Sequence, residues 1–157
     1  MKCRDGYTLV ELLIVMAIMA ILFTIGYLNF QDYSRQQELL SVVRSVQNDL
    51  SFTRQSAISG NKPATCVTLL NGYQFNVTSA TSYTINANCT TNSILQVKQV
   101  TLPTGMTIVA PNPNPLFFKA LADGTNIALG STSTVVVRQT STNNSRSIII
   151  GANGDVK

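Results

Sequence analysis

The pattern of apolar and polar residues divides the chain into three regions. Between Glu11 and Asp32 lie twenty residues without a charge, LLIVMAIMAILFTIGYLNFQ. As an α-helix rising about 1.5 Å per residue, this stretch reaches roughly 30 Å, which is the thickness of the hydrocarbon core of a bilayer. A helix that is apolar on every face for this length is unusual in the core of a small protein. The pattern therefore predicts a membrane span within residues 7–31, with a buried core helix as the alternative.

After this stretch the pattern becomes amphipathic. Apolar residues recur at helical spacing at Leu39, Val43, Val46, Leu50 and Ala57. Asp49 and Arg54 are among the intervening polar positions, and Ser59-Gly60 supplies a helix stop. We therefore predict one helix from about Thr8 to Ser59, whose second half, residues 32–59, packs on a sheet through its apolar stripe.

Residues 60–157 show the pattern of strands and turns. Short β-branched or aromatic segments alternate with turns rich in Gly, Pro, Asn and Asp. The predicted strands are Cys66–Leu70, Tyr73–Val77, Tyr83–Ile85, Ile94–Leu102, Met106–Val109, Val135–Arg138 and Ile148–Ile150. The predicted turns are Asn71-Gly72, Pro103-Thr104-Gly105, Asp123-Gly124 and Asn153-Gly154, and Pro111–Pro115 is a rigid connection. Strand aromatics such as Tyr73, Phe75 and Tyr83 are expected in the core. The prediction is an α+β fold, with a long N-terminal helix packed on one antiparallel sheet.

Composition excludes several classes of enzyme. The 157 residues include no His and no Trp, and 11% are charged, with a formal net charge of +4. Without imidazole, a Ser-His-Asp or Cys-His nucleophile and a zinc site that uses His cannot be built. Asp123 and Asp155 each lie beside a Gly in a predicted turn, which explains them without catalysis. We expect no enzyme activity, no catalytic residue, no metal site and no cofactor.

The residues before the apolar stretch indicate how it is processed and oriented. The leader, residues 1–6, carries Lys2 and Arg4 and ends in Gly6. No small-residue cleavage site of the ordinary secretory type follows the stretch. By the positive-inside rule, the basic leader stays in the cytoplasm and the chain beyond the span lies outside it.

The segment Gly6-Tyr7-Thr8-Leu9-Val10-Glu11 and the apolar run after it resemble the prepilin signature of type IV pilins and type II secretion pseudopilins. This resemblance implies a type IV pilin-like fold. It also implies that a prepilin peptidase cuts between Gly6 and Tyr7 and methylates the new amino group of Tyr7, where the usual residue is Phe.

Glu11 is the charged residue of the apolar helix. A carboxylate costs about 2.5 to 3.5 kcal/mol at the centre of a span and less near its end. Cleavage would create a cationic amino group on Tyr7, four residues before Glu11, so the charge of Glu11 could be met within one helix or by the amine of a neighbouring subunit. The resemblance implies that Glu11 pairs with this amine of a neighbouring subunit and sets the register of assembly. The alternative is an interfacial residue that extends its carboxylate to water.

The resemblance also implies partners and a location. The partners are the prepilin peptidase, other pilin subunits in a homo- or hetero-polymer, an inner-membrane assembly platform, and the membrane before assembly. The precursor would cross the inner membrane once, with residues 60–157 outside the cytoplasm. The processed subunit would then enter a cell-surface or periplasmic filament.

Two of the three cysteines are expected to pair. Cleavage would discard Cys3 with the leader and leave Cys66 and Cys89 in the outward-facing domain. Disulfides persist in such oxidising compartments, so a Cys66–Cys89 bridge is the expectation. Two free buried thiols, or an intermolecular contact, are the alternatives.

The subclass and the finer function stay open. Phe52–Ile58, Gly60-Asn61 and Val67 resemble GspH/FimT-type pseudopilins and minor pilins, whereas Ser59–Pro63 and Leu102–Gly105 resemble simple major pilins. A structural filament subunit is the main hypothesis. The alternative is a minor pilin or pseudopilin at the filament tip that binds DNA or a surface. Nucleic acid is weakly supported, because the candidate cations are scattered and Asp155 stands where a basic residue would help. These cations are Lys119, Arg138, Arg146 and Lys157.

Overall fold

The structure is a computed structural model that describes residues 8–90, 93–121 and 124–157, without the side chains of residues 25–29. Gly6, Tyr7, Cys3 and Asp123, which the sequence singled out, lie outside the described residues. The described elements are α1 (Leu9–Ile58), β1 (Leu70–Ser79), β2 (Ser82–Cys89), β3 (Ile94–Thr101), β4 (Met106–Val109), β5 (Leu116–Lys119), β6 (Thr132–Gln139) and β7 (Ser145–Gly151).

Helix α1 begins and ends within one residue of the prediction. At its end, the N–H of Gly60 donates to the carbonyl of Ala57 at 3.0 Å and the N–H of Asn61 donates to the carbonyl of Ser56 at 3.1 Å. These two bonds form a Schellman motif, and Gly60 has the positive φ of 61° that this motif favours. The predicted helix stop at Ser59-Gly60 is therefore confirmed.

The chain forms two compact units, residues 1–38 and residues 39–157. The described part of the first unit is the N-terminal part of α1. Its polar end carries an exposed ion pair between Arg35 and Asp32 at 3.9 Å. Among the described residues, no helix is long and apolar enough to cross a membrane. The span within residues 7–31 therefore stays a prediction.

The second unit contains two antiparallel sheets, so the prediction of one sheet was wrong. Sheet A has the strand order β3-β2-β1-β5, and sheet B has the order β4-β6-β7. The chain leaves sheet A at the turn after β3, where the N–H of Met106 donates to the carbonyl of Pro103 at 3.1 Å. After β4 the chain returns to sheet A at β5 through residues 111–115. This connection forms no strand of its own, because its three prolines lack the N–H groups that a ladder needs.

The connection over residues 111–115 is held against β1. The side-chain oxygen of Asn114 accepts from the N–H of Val77 at 3.1 Å, and the side-chain nitrogen donates to the carbonyl of Val77 at 3.0 Å. Asn114 thus takes the place of a neighbouring strand on the edge of β1 beyond β5. The prediction that this stretch connects two strands is confirmed.

Three local predictions were wrong. Cys66–Leu70 is not a strand, because Cys66 closes a turn with the carbonyl of Pro63, and only Leu70 enters β1. Asn71-Gly72 is not a turn between strands, since it lies inside β1, where the pairing with β2 shifts register. Strand β5 was missed, because its four residues directly follow the prolines.

The core of the second unit is one cluster that contains residues of α1 and of both sheets. The predicted apolar stripe is confirmed, since its members are at most 8% exposed: Leu39, Val43, Val46, Leu50 and Ala57. Tyr73, Phe75 and Tyr83 are buried as predicted. The rings of Phe75 and Tyr83 lie 4.8 Å apart between centroids, within the range of aromatic packing.

Candidate functional site

The start of α1 is organised by Thr8 and Glu11. The hydroxyl of Thr8 accepts from the backbone N–H of Glu11 at 3.2 Å, and the carbonyl of Thr8 accepts from the N–H of Leu12 at 3.2 Å. Thr8 is therefore the N-cap, and Glu11 is the third helical residue, as in a capping box. A carboxylate in the first turn also interacts favourably with the helix dipole, by about 0.3 to 1 kcal/mol. Glu11 thus has a local role that the sequence reasoning did not consider.

The Glu11 carboxylate is not in an ion pair within the described part of the chain. Ion pairs there join Arg35 to Asp32, Arg54 to Asp155 and Lys98 to Asp49. The amine of Tyr7, its predicted partner, lies outside the described residues. Within the described part of the chain, the exposed carboxylate is therefore open to a cation supplied from elsewhere.

The N-terminal part of α1 carries a continuous apolar surface. Each large apolar side chain from Leu9 to Phe23 is at least half exposed, and Leu9 itself is 77% exposed. Such a surface, without a charge after Glu11, is far more apolar than an ordinary soluble surface and indicates a membrane or protein partner. The side chains of residues 25–29, which continue the stretch, are not described.

Asp49, one of the polar positions between the apolar residues of α1, is buried. Asp49 is 6% exposed, and each of its carboxylate oxygens accepts a hydrogen bond. The hydroxyl of Tyr83 donates to Oδ2 at 2.8 Å, and Nζ of Lys98 donates to Oδ1 at 2.6 Å. These bonds connect α1 to β2 and β3. The sequence contains an indication of this burial, because Asp49 lies three residues after Val46 and next to Leu50, on the buried stripe.

This environment strongly raises the pKa of the Tyr83 phenol. Burial is the main cause that raises the pKa of its phenol far above the ordinary value, and the hydrogen bond to Asp49 and the charge of that carboxylate raise the pKa further. The phenol is therefore a permanent donor in the physiological range. Its role is structural.

The segment after α1 is fastened to sheet A at two points. Cys66 and Cys89 form a disulfide with a Cα–Cα distance of 6.1 Å, and both residues are at most 1% exposed. Closer to the helix end, the hydroxyl of Tyr73 donates to the carbonyl of Asn61. These two contacts hold the residues between α1 and β1 in place without a strand.

The second unit has an open polar cleft of about 380 Å³ at the C-terminal end of the chain. It is lined by Ser51, Arg54, Gln55, Asp155, Val156 and Lys157. Nη2 of Arg54 lies 3.3 Å from Oδ1 of Asp155, so this carboxylate offsets part of the positive charge. The other cations singled out in the sequence lie elsewhere, with Lys119 on β5, Arg138 on β6 and Arg146 on β7. Among the described residues, no group of His, Cys, Asp or Glu could hold a metal ion.

Comparisons with protein families identify the class. Residues 42–154 match the family model described as type II transport protein GspH, and residues 1–27 match the prokaryotic N-terminal methylation motif. The GspH match covers more than half of the chain, so the protein belongs to the GspH family, within the class of type IV pilins and pseudopilins. The predicted family and α+β fold are confirmed.

Curated relatives agree with this class over a shorter stretch. Two fimbrial proteins of Pseudomonas aeruginosa are each 39% identical to the chain over 62 residues, which is 40% of this chain and 40% of the relative. The chain thus spans about two fifths of the length of these relatives. No solved structure matches the chain.

The class carries general properties. Pilins and pseudopilins are structural, non-enzymatic subunits, which agrees with the prediction that the protein is not an enzyme. Proteins of the prepilin type are membrane-anchored and then form surface or periplasmic filaments. Membership implies, in general terms, other pilin subunits and a processing peptidase as partners.

Proposed function

We propose that this protein is a structural subunit of a type IV pilus-like or type II secretion-like filament. Prepilin peptidase hydrolyses the Gly6–Tyr7 bond, the amino group of Tyr7 is methylated, and the subunit polymerises through α1. The observation that carries the proposal is the surface of α1, which is apolar on all sides from Leu9 to Phe23 and carries Glu11 in its first turn.

The physics of transfer from bilayer to filament supports a guiding role for Glu11. Lipid tails are as apolar as the helix, so moving the apolar surface into a helical filament core gains little from the hydrophobic effect. Close packing at small residues such as Ala17 and Ala20 must supply the contact energy. A carboxylate that is costly in an apolar medium gains most where it meets the cationic amine of a neighbouring Tyr7. The position of that pair fixes how far a new subunit advances.

The same proposal includes the location of each part. The leader, residues 1–6, stays in the cytoplasm, residues 7–31 anchor the precursor in the inner membrane, and residues 60–157 lie outside the cytoplasm. An inner-membrane assembly platform extracts the processed subunit. The Cys66–Cys89 disulfide is compatible with this location, because disulfides persist in extracytoplasmic compartments.

Mass spectrometry of filaments sheared from cells of the source organism tests the proposal. A dominant species that begins at N-methyl-Tyr7 supports a major pilin. A trace or membrane-retained processed chain supports a minor pilin or pseudopilin. A chain that keeps Met1, in cells whose other prepilins are processed, would overturn the proposed processing.

A minor pilin that binds DNA at the filament tip is the second candidate role. The open cleft supports it, because Arg54 and Lys157 line the same space. Phosphate contacts release counterions, so DNA affinity should fall steeply between about 50 and 200 mM salt. Lys157→Ala should weaken binding, whereas Lys62→Ala, at an exposed position outside the cleft lining, serves as the control. Absence of binding, or binding that does not change with salt, rejects this role.

A further inference from the structure

Several loops of the second unit meet at one end of sheet A. The four strands pair antiparallel in the order β3-β2-β1-β5. The start of β1, the end of β2, the start of β3 and the end of β5 therefore lie at the same end. Helix α1 also ends here, since the N–H of Leu121, two residues after β5, donates to the carbonyl of Ala57 at 3.0 Å. Neighbouring strands lie about 4.8 Å apart, so this end of the sheet is about 15 Å wide.

Large aliphatic side chains protrude at this end instead of packing in the core. Four of them are between 58% and 90% exposed, and together we call them the aliphatic rim: Val67, Leu69, Ile94 and Leu121. Each forgoes the favourable free energy that burial of an aliphatic side chain provides. A single exposed Leu or Val is ordinary, whereas a cluster of exposed aliphatic side chains indicates contact with a protein or a membrane.

The segment before β1 holds its part of the rim in place. Cys66 is bonded to Cys89 at the end of β2, so Val67 is fixed at the end of the sheet. The carbonyl of Leu69 accepts from the N–H of Thr90 at 2.9 Å and from the hydroxyl of Thr90 at 2.9 Å. These contacts fix the backbone on both sides of residue 68. The rim is therefore a preformed surface.

Leu121 is held outward at a conformational cost. Its φ is 54°, in the left-handed region that a bulky residue other than Gly rarely adopts. Its side chain lies beside Gly60, where an added Cβ would come within 2.7 Å of Cδ2. Backbone strain of this kind persists only where the surrounding structure imposes it, and it concentrates at functional sites. A strained residue with a 78% exposed aliphatic side chain indicates a contact surface.

Two lysines flank the rim. Nζ of Lys62 donates to the carbonyl of Val67 at 3.4 Å, and Lys119, the last residue of β5, is exposed two residues before Leu121. In the sequence of these loops, residues 59–70, 88–95 and 119–125, the acidic residue is Asp123, which lies outside the described residues. The lysines outnumber it, so the loops carry a net positive charge.

The second unit as a whole has a charge of the same sign. Residues 39–157 contain eight Lys and Arg and three Asp, a net charge of +5. Of the described carboxylates, Asp49 pairs with Lys98 and Asp155 pairs with Arg54. A unit with this excess of cations is attracted to an anionic surface before any contact forms.

We propose that the aliphatic rim binds the surface of a membrane that contains anionic lipids. Its four side chains enter the boundary between headgroups and acyl chains, and Lys62 and Lys119 contact the lipid phosphates. The composition favours a lipid over a protein partner. Residues 59–70, 88–95 and 119–125 contain no aromatic residue, no Met and no Arg, the residue types enriched in protein interfaces, whereas Lys is depleted there. This contact goes beyond the filament function, which does not require it.

The experiment uses the full chain reconstituted into phosphatidylcholine vesicles. The protein has no Trp, so Val67→Trp places a single fluorophore in the rim. Leu129→Trp, at a 91% exposed position outside the rim, is the matched control. Acceptor vesicles with brominated acyl chains are then added, made of phosphatidylcholine alone or mixed with phosphatidylglycerol. The anionic acceptor should quench the Val67→Trp fluorophore and shift its emission to shorter wavelength, whereas the Leu129→Trp fluorophore should show neither effect.

Second substitutions in the Val67→Trp chain separate the apolar and the charged contributions. Leu69→Ser and Leu121→Ser should each weaken binding to the anionic acceptor about tenfold, the loss expected for one aliphatic contact. Leu129→Ser is the control and should leave binding unchanged.

The lysines are tested by charge removal in the same chain. Lys62→Gln/Lys119→Gln should weaken binding about fivefold for each lysine at low salt. Arg138→Gln/Arg146→Gln removes the same charge at exposed positions on sheet B and should have a smaller effect. Ile94→Ser replaces either serine variant of the rim if that variant unfolds at a lower urea concentration than the parent chain.

Three results would overturn the proposal. The first is that the anionic acceptor does not quench the Val67→Trp fluorophore, or quenches it no more than the neutral acceptor does. The second is that the rim variants bind as tightly as their controls. The third is an emission shift that grows with protein density without acceptor vesicles, because a second copy would then cover the rim. Processing at Gly6 and entry into filaments are measured separately, so failure of lipid binding leaves the filament function standing.

Discussion

The hydroxyl of Tyr83 donates a hydrogen bond to Oδ2 of Asp49 across 2.8 Å in the interior of the second unit. A buried carboxylate is costly unless donors replace its water, and Lys98 supplies the second donor from β3. The arrangement joins α1 to two strands of sheet A through one side chain. A rotation of the helix on the sheet would break both bonds, so Asp49 specifies how the helix is oriented.

Tyr83→Phe should lower the free energy of unfolding by about 1 to 3 kcal/mol, because it leaves one oxygen of a buried carboxylate without a donor. Urea unfolding of the detergent-solubilised full chain measures the change. Tyr33→Phe is the matched control, since Tyr33 is 61% exposed, and its effect should stay within about 0.5 kcal/mol. Equal effects of the two variants would contradict a structural role for the Tyr83 hydroxyl.

Alkaline pH should destabilise the protein through the same residue. Burial raises the pKa of Tyr83 in the folded chain above its ordinary value of 10.0, so the unfolded chain loses this proton first. Above pH 10 the unfolded state therefore binds fewer protons than the folded state, and the free energy of unfolding falls as pH rises. For one such group, the free energy of unfolding falls by about 1.4 kcal/mol per pH unit above pH 10. Below pH 10 this group causes no change with pH.

Unfolding curves from pH 8 to pH 12 check the alkaline effect. The wild type should lose stability more steeply above pH 10 than Tyr83→Phe, because the variant lacks the group that titrates. Parallel curves for the two proteins would show that the phenol of Tyr83 is not the cause. Burial also raises the pKa of Tyr73, so Tyr73→Phe should likewise reduce the loss of stability above pH 10.

The sequence predicted the elements whose signal is local. The bounds of α1 followed from the apolar stripe and from Ser59-Gly60, and β4 was predicted residue by residue. Strand β5 was not predicted, because four residues after a proline-rich stretch become a strand only through pairing with β1. The separation into two sheets likewise depends on long-range pairing, which periodicity does not encode.

The candidate site was predicted to a similar extent. The prepilin signature indicated Gly6, Tyr7 and Glu11, and the topology of the chain indicated Cys66 and Cys89. The burial of Asp49 was not predicted, because its two donors lie 34 and 49 residues further along the chain.

The Cys66–Cys89 disulfide should contribute about 3 kcal/mol to stability. The reason is that the bridge closes a loop and so lowers the conformational entropy of the unfolded chain. The double variant Cys66→Ala/Cys89→Ala removes the bridge without leaving a thiol, and urea unfolding measures the loss. Thiol quantification on denatured, exported wild-type protein should find none from these two residues. Two reactive thiols per processed chain would contradict the bridge.

Gly72→Ala should destabilise the contact between β1 and β5. A Cβ at residue 72 would collide with the carbonyl oxygen of Phe118 and would lie 2.7 Å from Cζ of Phe117, so β5 must move. We expect a loss of about 1 to 3 kcal/mol, as for other overpacked sites. Gly151→Ala is the control, because an added Cβ there meets no atom within 4 Å and the backbone has no positive φ. If the two variants unfold at the same urea concentration, the close approach at Gly72 is not a constraint.

Substitutions at Thr8 and Glu11 separate the two roles that the structure and the sequence give to Glu11. Thr8→Ala removes the N-cap and should weaken the first turn of α1 by about 1 kcal/mol, while the Glu11 carboxylate remains. Glu11→Gln keeps the hydrogen bond from the backbone N–H of residue 11 to the hydroxyl of Thr8 and removes the charge.

If the charge guides assembly, Glu11→Gln should be processed but not incorporated into filaments, whereas Thr8→Ala should be incorporated. Glu38→Gln, at an exposed position on the same helix, is the matched charge control and should assemble normally. Incorporation is measured by mass spectrometry of sheared filaments against the membrane fraction. If Thr8→Ala fails and Glu11→Gln assembles, the carboxylate serves the helix start alone, and the proposed guiding role of its charge is wrong.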